Sequence, residues 1–320
     1  ALLDLARLSV TGEVAQAYFD LRTLQRQIAI AQDDAKLLEE RTRLVSARVR
    51  GGLEDHSGLE QESAALNGLR AAIPVLQSRE AAQINRIALL LGRRPGELEP
   101  DLREGRPFGG VDDLPDLALG LPSQVATNRP DVRAAVARLH AATAGIGIAT
   151  ADLYPSIRLG GSLDLESFRS ENLFDWGSRA WSIGPSLSLP LFDGGRRRAT
   201  VELRRLEERE AAVAFQQTVL KAWQEIDDAL SGYTAERQQR ARLAARAGHA
   251  ASALALAEAR YRAGALSYLP VLDARREHLQ ALLHLADCEG RLRVRFVAIN
   301  KAIGNGPTGD AGDAGVRAPG

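Results

Sequence analysis

The chain has 320 residues, and its 41 basic and 41 acidic side chains cancel to a formal net charge of zero, which argues against a nucleic-acid binder. Hydrophobic residues make up 45% and aromatic residues only 5%, an alanine- and leucine-led balance typical of helical arrays. Cys288 is the single cysteine, so an intrachain disulfide and a cysteine-based zinc site are excluded.

Methionine is absent, even at residue 1, so the chain is expected to start at an internal point or after processing. The sequence carries no apolar run long enough for a membrane helix and no signal-peptide pattern, and the removal of an anchor or targeting signal fits the same start.

Residues 1–50 carry one helical pattern. Leu3, Val10, Ala17, Leu24, Ala31, Leu38 and Val45 recur at sevens, with Val14, Leu21, Ile28, Ala35 and Val49 at the partner position. This is a coiled-coil seam, about 75 Å long at the helical rise. Gly51-Gly52 ends it, and Ser57 to Glu60 has capping-box spacing for the next helix. Leu59, Leu66, Ile73 and Ile87 continue the sevens through Leu91. Two long helices joined by a short turn must lie antiparallel, so residues 1–91 form a helical hairpin.

Residues 92–127 hold Pro95, Pro100, Pro107, Pro115 and Pro122 among many glycines and read as an irregular connector. Asn128 is placed to cap a helix opening Arg129-Pro130-Asp131, which fills the segment 128–153 until Tyr154-Pro155 breaks it.

The segment 154–192 has period two. Ile157, Leu159, Leu163 and Leu165 alternate with Arg158, Gly160, Ser162 and Asp164; Trp181, Ile183, Leu187, Leu189 and Leu191 alternate with Ser182, Gly184, Ser186 and Ser188. Each run has about the 9–11 residues that a tilted membrane strand needs, and the small polar face suits a wet lumen. A soluble hairpin packed on a helical core fits the same pattern. Trp181, with Phe168, Phe174 and Trp176 in the loop, suits an aromatic girdle or burial beneath the loop.

Phe192-Asp193-Gly194-Gly195 turns the chain, and Arg196-Arg197-Arg198 opens a helix running to about Arg262, about 100 Å. Strand, glycine turn and helix share the layout of a phosphate loop, but the Lys-Ser/Thr of that motif is missing. Gly264 ends the helix, and a last one from about Ser267 to Ile303 admits Pro270 in its first turn. Segment 193–303 is thus a second helical hairpin, and 304–320 reads as a disordered tail.

The two hairpins repeat. The offset of 212 residues that separates Glu13 from Glu225 also pairs Leu8 with Leu220, Ala17 with Ala229, Arg48 with Arg260, Gly52 with Gly264 and Leu59 with Val271. The second copy is preceded by a helix and a strand hairpin. The same offset puts their first-copy counterparts upstream of Ala1, from position −84, and predicts upstream sequence with a second strand hairpin.

Three runs carry a resemblance. Leu121-Pro-Ser followed by Asn128-Arg-Pro-Asp-Val-Arg-Ala-Ala, then Pro190-Leu-Phe-Asp-Gly-Gly-Arg-Arg, then Ala259-Arg-Tyr-Arg-Ala-Gly-Ala-Leu-Ser-Tyr-Leu-Pro-Val-Leu-Asp-Ala-Arg-Arg resemble the outer-membrane efflux (TolC-like) factors, in the lipoprotein branch serving RND-type drug pumps. The resemblance covers about residues 1–303. It implies a mainly α fold with a β-hairpin: a homotrimer whose long antiparallel coiled-coil helices wall a periplasmic tunnel and whose strands build an outer-membrane β-barrel. It further implies a passive exit duct without chemistry of its own or any cofactor, docked to a periplasmic adaptor protein and an inner-membrane RND-type transporter. The family's first strand hairpin, N-terminal segment and acylated cysteine have no counterpart here.

By the same resemblance, Leu269, Asp273 and Arg276 match positions that narrow the tunnel's periplasmic mouth. Asp273 and Arg276 stand three apart on one helix face, where they can pair locally or reach a neighbouring subunit. Gly52 and Leu53 in one turn, and Gly264, Ala265 and Leu266 in the other, match the tips that the adaptor touches; glycine there also stops a helix. Glu54, Asp55, His56 and Gly58 add a polar set to the first tip. His56, His140, His249, His278 and His284 show no i, i+4 ligand pair and read as surface or seam residues, and no catalytic set stands out. The rival readings are a soluble coiled-coil scaffold and a truncated duct without function.

Overall fold

The structure is a computed structural model that describes residues 2–103, 129–166, 174, 176–189 and 191–305. In chain order come α1 (Leu2–Arg50), α2 (His56–Leu90), α3 (Glu99–Arg103), α4 (Pro130–Ala151), β1 (Ser156–Leu165), β2 (Arg179–Ser188), α5 (Arg196–Arg262) and α6 (Leu269–Ala302). They divide into two compact units: residues 1–130 with 222–320, and residues 131–221.

In the first unit α1 lies between α2 and α6. Toward α2, Ala17 and Leu21 meet Ile84 and Ile87, with Leu98 and Leu102 closing over them. Toward α6, the Gln27 amide donates to Asp287 Oδ1 at 3.2 Å. Helix α6 packs in turn on α5, where Ala247 and Ala250 meet Ala281, and Ala229 meets Ile299, Ala302 and Ile303. The helices therefore stand in the order α2, α1, α6, α5. Seam residues Leu21, Leu38 and Leu272 are 0% exposed, and each such burial is worth about 1.5–3 kcal/mol. The seam is shorter than its sequence pattern. Leu3 and Val10 are exposed because α6 ends at Ala302, where Lys301 already stands beside Ser9, and Leu91 is exposed at the cap of α2.

The repeat is written in backbone hydrogen bonds. Gly51 N, Gly52 N and Leu53 N donate to Ala47 O, Val49 O and Arg48 O; Ala263 N, Gly264 N and Ala265 N donate to Ala259 O, Tyr261 O and Arg260 O. Every atom of the second set lies 212 residues after its mate in the first. The far ends repeat too: Leu91, Gly92 and Arg93 close on Ile87, Leu89 and Ala88, as Ile303, Gly304 and Asn305 close on Ile299, Lys301 and Asn300. Gly52 and Gly264 have φ of 68° and 72°, a left-handed turn that frees the last carbonyls to be capped and that a Cβ would strain.

The capping box expected from Ser57 to Glu60 does not form. Helix α2 starts at His56, and Asp55 is its cap, accepting from Ser57 N at 2.8 Å. The short carboxylate two residues ahead of Ser57 reaches the free N–H first, and the bond holds the Asp55 carboxyl below its usual range.

Cys288 is fully buried between α5 and α6, and its thiol donates to Glu236 O at 3.7 Å. Burial pushes its pKa from 9.0 up to about 11. Between those pH values the unfolded chain releases a proton that the folded chain keeps, so stability should fall as pH rises from 9 to 11. A thiol reagent at pH 8 should leave the folded chain unlabelled and react fully once denaturant opens it. Labelling at the rate of a free thiol without denaturant would contradict this burial.

In the second unit β1 and β2 pair antiparallel, Ser156 opposite Ser188 and Leu165 opposite Arg179. The second strand stops at Ser188, short of the alternation read through Leu191, because β1 begins only after Pro155 and offers no partner further on. Asp193 caps α5: its carboxylate accepts from Gly195 N at 3.0 Å and Arg197 N at 3.2 Å. The phosphate-loop layout therefore already holds its own anion.

Of the connector, residues 92–103 are described and hold a turn and α3. The cap at Asn128, the run at Leu121, the connector beyond Arg103, Phe168, Pro190 and the tail from residue 306 lie outside the described residues.

Candidate functional site

The hairpin's register sorts its side chains. Ile157 faces Leu187, Leu159 faces Pro185, Gly161 faces Ile183 and Leu163 faces Trp181; in the alternate rows Ser156 faces Ser188, Arg158 faces Ser186, Gly160 faces Gly184 and Ser162 faces Ser182. One face is thus apolar and the other small and polar, with the two serine hydroxyls of Ser162 and Ser182 3.0 Å apart. Among the described residues neither face is covered. Ile157 is 77%, Trp181 75%, Ile183 71% and Leu187 69% exposed. Leaving such side chains in water forgoes about 1.5–3 kcal/mol each, so the apolar face needs a nonaqueous neighbour. Phe174 and Trp176 are exposed as well, and the Arg179 guanidinium stacks 4.2 Å from the Trp176 ring.

At the first helical tip Leu53 is exposed beside Gly52. The polar set around it is partly tied down: Glu54 pairs with Arg48 at 3.0 Å, and Asp55 is held by its cap. At the second tip Gly264 and Ala265 are exposed and Leu266 is half-buried. Tyr268 follows, its ring 5.0 Å from that of Tyr261 and its hydroxyl donating to Glu40 Oε1 at 2.9 Å. That bond to a carboxylate holds the phenol above its usual pKa.

Leu269, Asp273 and Arg276 lie on the first two turns of α6. Asp273 is ion-paired with Arg41 of α1, whose Nε also stands 2.8 Å from Glu62 Oε1 of α2. One guanidinium therefore ties three helices together. Burial depresses the Arg41 pKa, but Asp273 and Glu62 outweigh it and hold the group above its ordinary value. Arg276 faces Asp34 of α1. Burial raises the Asp34 carboxyl, the Arg276 charge partly lowers it, and Arg276 Nε and Asp34 Oδ1 are both buried without a hydrogen bond among the described residues. Leu269 is half-buried at the start of α6. Sequence reasoning missed Arg41 because its partners lie 21 and 232 positions away, and an arginine beside a heptad seam carries no local signal.

Comparison with known proteins gives the fold and the family. The chain is 32% identical over 310 residues to the outer membrane protein OprJ of Pseudomonas aeruginosa, covering 94% of this chain and 62% of that protein. It is 30% identical over 302 residues to the cation efflux system protein CusC of Escherichia coli K12, covering 93% and 64%. The chain thus spans less than two thirds of the length of these relatives. The solved outer-membrane channel OprN matches with a TM-score of 0.81 and 34% identity over 95% of this chain and 68% of that one. The open state of the Neisseria gonorrhoeae MtrE outer membrane channel matches with a TM-score of 0.77 and 29% identity over 94% and 67%. The mainly α fold with long antiparallel helices and barrel-type strands is the fold of these channels. The family model for outer membrane efflux proteins matches residues 121–305, which take in the hairpin, all of α5 and the second tip, so the chain belongs to the outer membrane efflux protein family.

Proposed function

We propose that the chain forms part of a trimeric, passive exit duct of the outer membrane, fed by a periplasmic adaptor protein and an inner-membrane RND-type transporter. The observation that carries this reading is the hairpin: strands of 10 residues each, one face apolar and open to solvent, in a protein of an outer-membrane family. A two-strand sheet cannot close a barrel alone, so other strands must complete it. In this reading Leu269, Asp273 and Arg276 form the periplasmic gate, with Arg41 as the latch for Asp273. Gly52, Leu53, Gly264, Ala265 and Leu266 form the adaptor contact. Segments 1–91 and 193–303 are the tunnel hairpins, 128–153 is a further tunnel helix, 154–192 is the barrel hairpin and 92–127 is the equatorial connector.

The repeat supports closure by further copies. Within the chain α1 packs on α6. Moved by 212 residues, that pairing becomes α5 on α2, the two outer helices of the row. The close contact of α1 with α6 where Thr23 stands against Gly290 maps onto Ala235 and Ser78. Gln27 and Asp287 map onto Gln239 and Val75. All four mapped residues are exposed in the single chain. In a trimer α5 of one copy would meet α2 of the next there.

Chains carrying both Ser78→Cys and Ala235→Cys, oxidised in the outer membrane, should yield disulfide-linked dimers and trimers on a non-reducing gel. Each single variant should stay monomeric, since Cys288 is buried. Absence of the ladder, with the protein present in the outer membrane, would end the trimeric tunnel reading.

A further inference from the structure

We propose that the helix-side end of the hairpin binds an anionic glycerophospholipid, the acyl chains on Leu153, Leu191 and Phe192 and the phosphate on Arg198. The proposal rests on the membrane reading of the hairpin and adds a ligand to it. The apolar row that starts at Leu163 and Trp181 runs through Ile157 and Leu187 and on past the last strand pair, where Leu189, Leu191 and Phe192 follow, with Tyr154 on the incoming side. Leu191 is 88% and Phe192 93% exposed. A 10-residue strand tilted by about 45° rises about 23 Å, close to the apolar height of an outer-membrane barrel. Residues just beyond its end therefore sit at headgroup level.

A cleft of about 410 Å³ opens at that place, lined by Leu153, Leu191, Phe192, Gly195, Arg197 and Arg198 with Asp193 at its side. Its polar groups are sorted by what they already hold. Arg197 is engaged: it pairs with Asp193 at 3.4 Å and donates to Asp152 O. The amides at the start of α5 are engaged too: Gly195 N, just before the helix, and Arg197 N donate to the Asp193 carboxylate, and Arg196 N donates to Asp193 O at 3.2 Å. Helix amides are thus closed to a lipid phosphate. The Arg196 and Arg198 side chains are exposed and make no hydrogen bond or ion pair among the described residues, but only Arg198 lines the cleft, Arg196 standing two residues away on another face of the helix. Three arginines against Asp193 and Asp152 leave this end net positive. A free guanidinium in a net-positive cleft beside an uncovered apolar collar matches a negatively charged headgroup with its acyl chains; a zwitterionic lipid would satisfy the collar and leave the charge uncompensated.

The test is native mass spectrometry of the full chain released from detergent micelles that hold equal amounts of dioleoyl phosphatidylglycerol and dioleoyl phosphatidylcholine. Phosphatidylglycerol should be retained preferentially. Arg198→Ala should cut that preference about fivefold, while Arg198→Lys keeps most of it. Arg205→Ala, further along α5 and paired with Glu202 at 2.7 Å, should change nothing. Circular dichroism checks that each variant keeps its helices. Equal retention of the two lipids by the unaltered chain, or a preference that survives Arg198→Ala, would overturn the proposal and leave the membrane hairpin standing. A chain that holds neither lipid nor detergent would remove both.

Discussion

Gly290→Leu should destabilise the protein by about 3 kcal/mol, read as a lower urea midpoint in circular dichroism with an unchanged slope. A Cβ at Gly290 would lie 2.9 Å from Thr23 Cβ, and closer still to Thr23 Oγ1 and Cγ2. Thr23 cannot swing away cheaply, because its hydroxyl donates to Phe19 O at 2.8 Å within α1. Helix α1 and helix α6 would have to separate along their shared seam. Gly290→Ala sets two effects against each other: relief of glycine in a helix interior favours it by about 1 kcal/mol, and the overlap opposes it by about 1–3 kcal/mol. A net loss is expected because Thr23 is held. Thr23→Ala should be mild alone and should rescue part of the Gly290→Ala loss, since it removes two of the three clashing atoms. If Gly290→Ala proves more stable than the parent, the two helices are not locked at this point.

The long helices were readable because each buries one stripe at a fixed period, and Ala17, Ala31, Leu38 and Val45 are all buried where the sevens put them. The repeat was readable for the same reason, and its offset recurs atom by atom in the turn hydrogen bonds. The hairpin was readable because period two has few alternatives. What stayed hidden depended on neighbours distant in sequence or on competition between adjacent groups. Asp55 and Ser57 are both good caps, and only geometry decides which carboxylate or hydroxyl reaches the amide. The second strand ends where its partner begins, a fact of pairing that its own residues do not carry. Gly290 did leave a trace: a lone glycine deep inside a helix costs stability unless something needs the room.

The two halves of the repeat differ most at the ionic cluster. Arg41, Glu62 and Asp273 have Ala253, Ala274 and Gln61 as their counterparts at the 212-residue offset, and Arg276 has Ala64. The turn bonds and helix ends are shared by both halves, whereas this cluster belongs to the α1–α2–α6 side; α5 and α6 carry other pairs, Arg246 with Glu277 at 2.7 Å and Arg240 with Glu289 at 3.3 Å. In a trimer the tunnel wall would be near sixfold and the charged latch only threefold. In the proposed duct this cluster holds Asp273 at the periplasmic mouth.

Loss of the latch should open that mouth. Arg41 is shielded, its side chain 16% exposed, as is Glu62 at 14%, while Asp273 is 56% exposed. Removing the guanidinium leaves two carboxylates without their cation, one of them well shielded, which costs more than the about 0–1 kcal/mol of an exposed pair. A bias of about 1.4 kcal/mol changes a closed–open ratio tenfold. Arg41→Ala and Asp273→Ala should therefore each raise open probability or conductance in planar-bilayer recordings of the assembled channel, about tenfold for open probability. Raising salt from 0.1 M to 1 M shortens the Debye length from about 10 Å to about 3 Å and should shift the parent the same way, though less, because the Arg41–Glu62 pair is shielded. Exchanging the charges, with Arg41→Asp and Asp273→Arg together, should restore part of the closed state. Arg276→Ala carries a pH signature. It leaves Asp34, whose pKa burial already raises, without its facing cation, so the pKa should climb further. The cost of the buried charge is present above that folded-state pKa and is relieved as pH falls through it, so the opening caused by Arg276→Ala should fade in acid. Leu269→Ser should widen the mouth at every pH, since no charge changes. If Asp273→Ala and Arg276→Ala both leave conductance as it was, these residues only brace the helices and the constriction lies elsewhere.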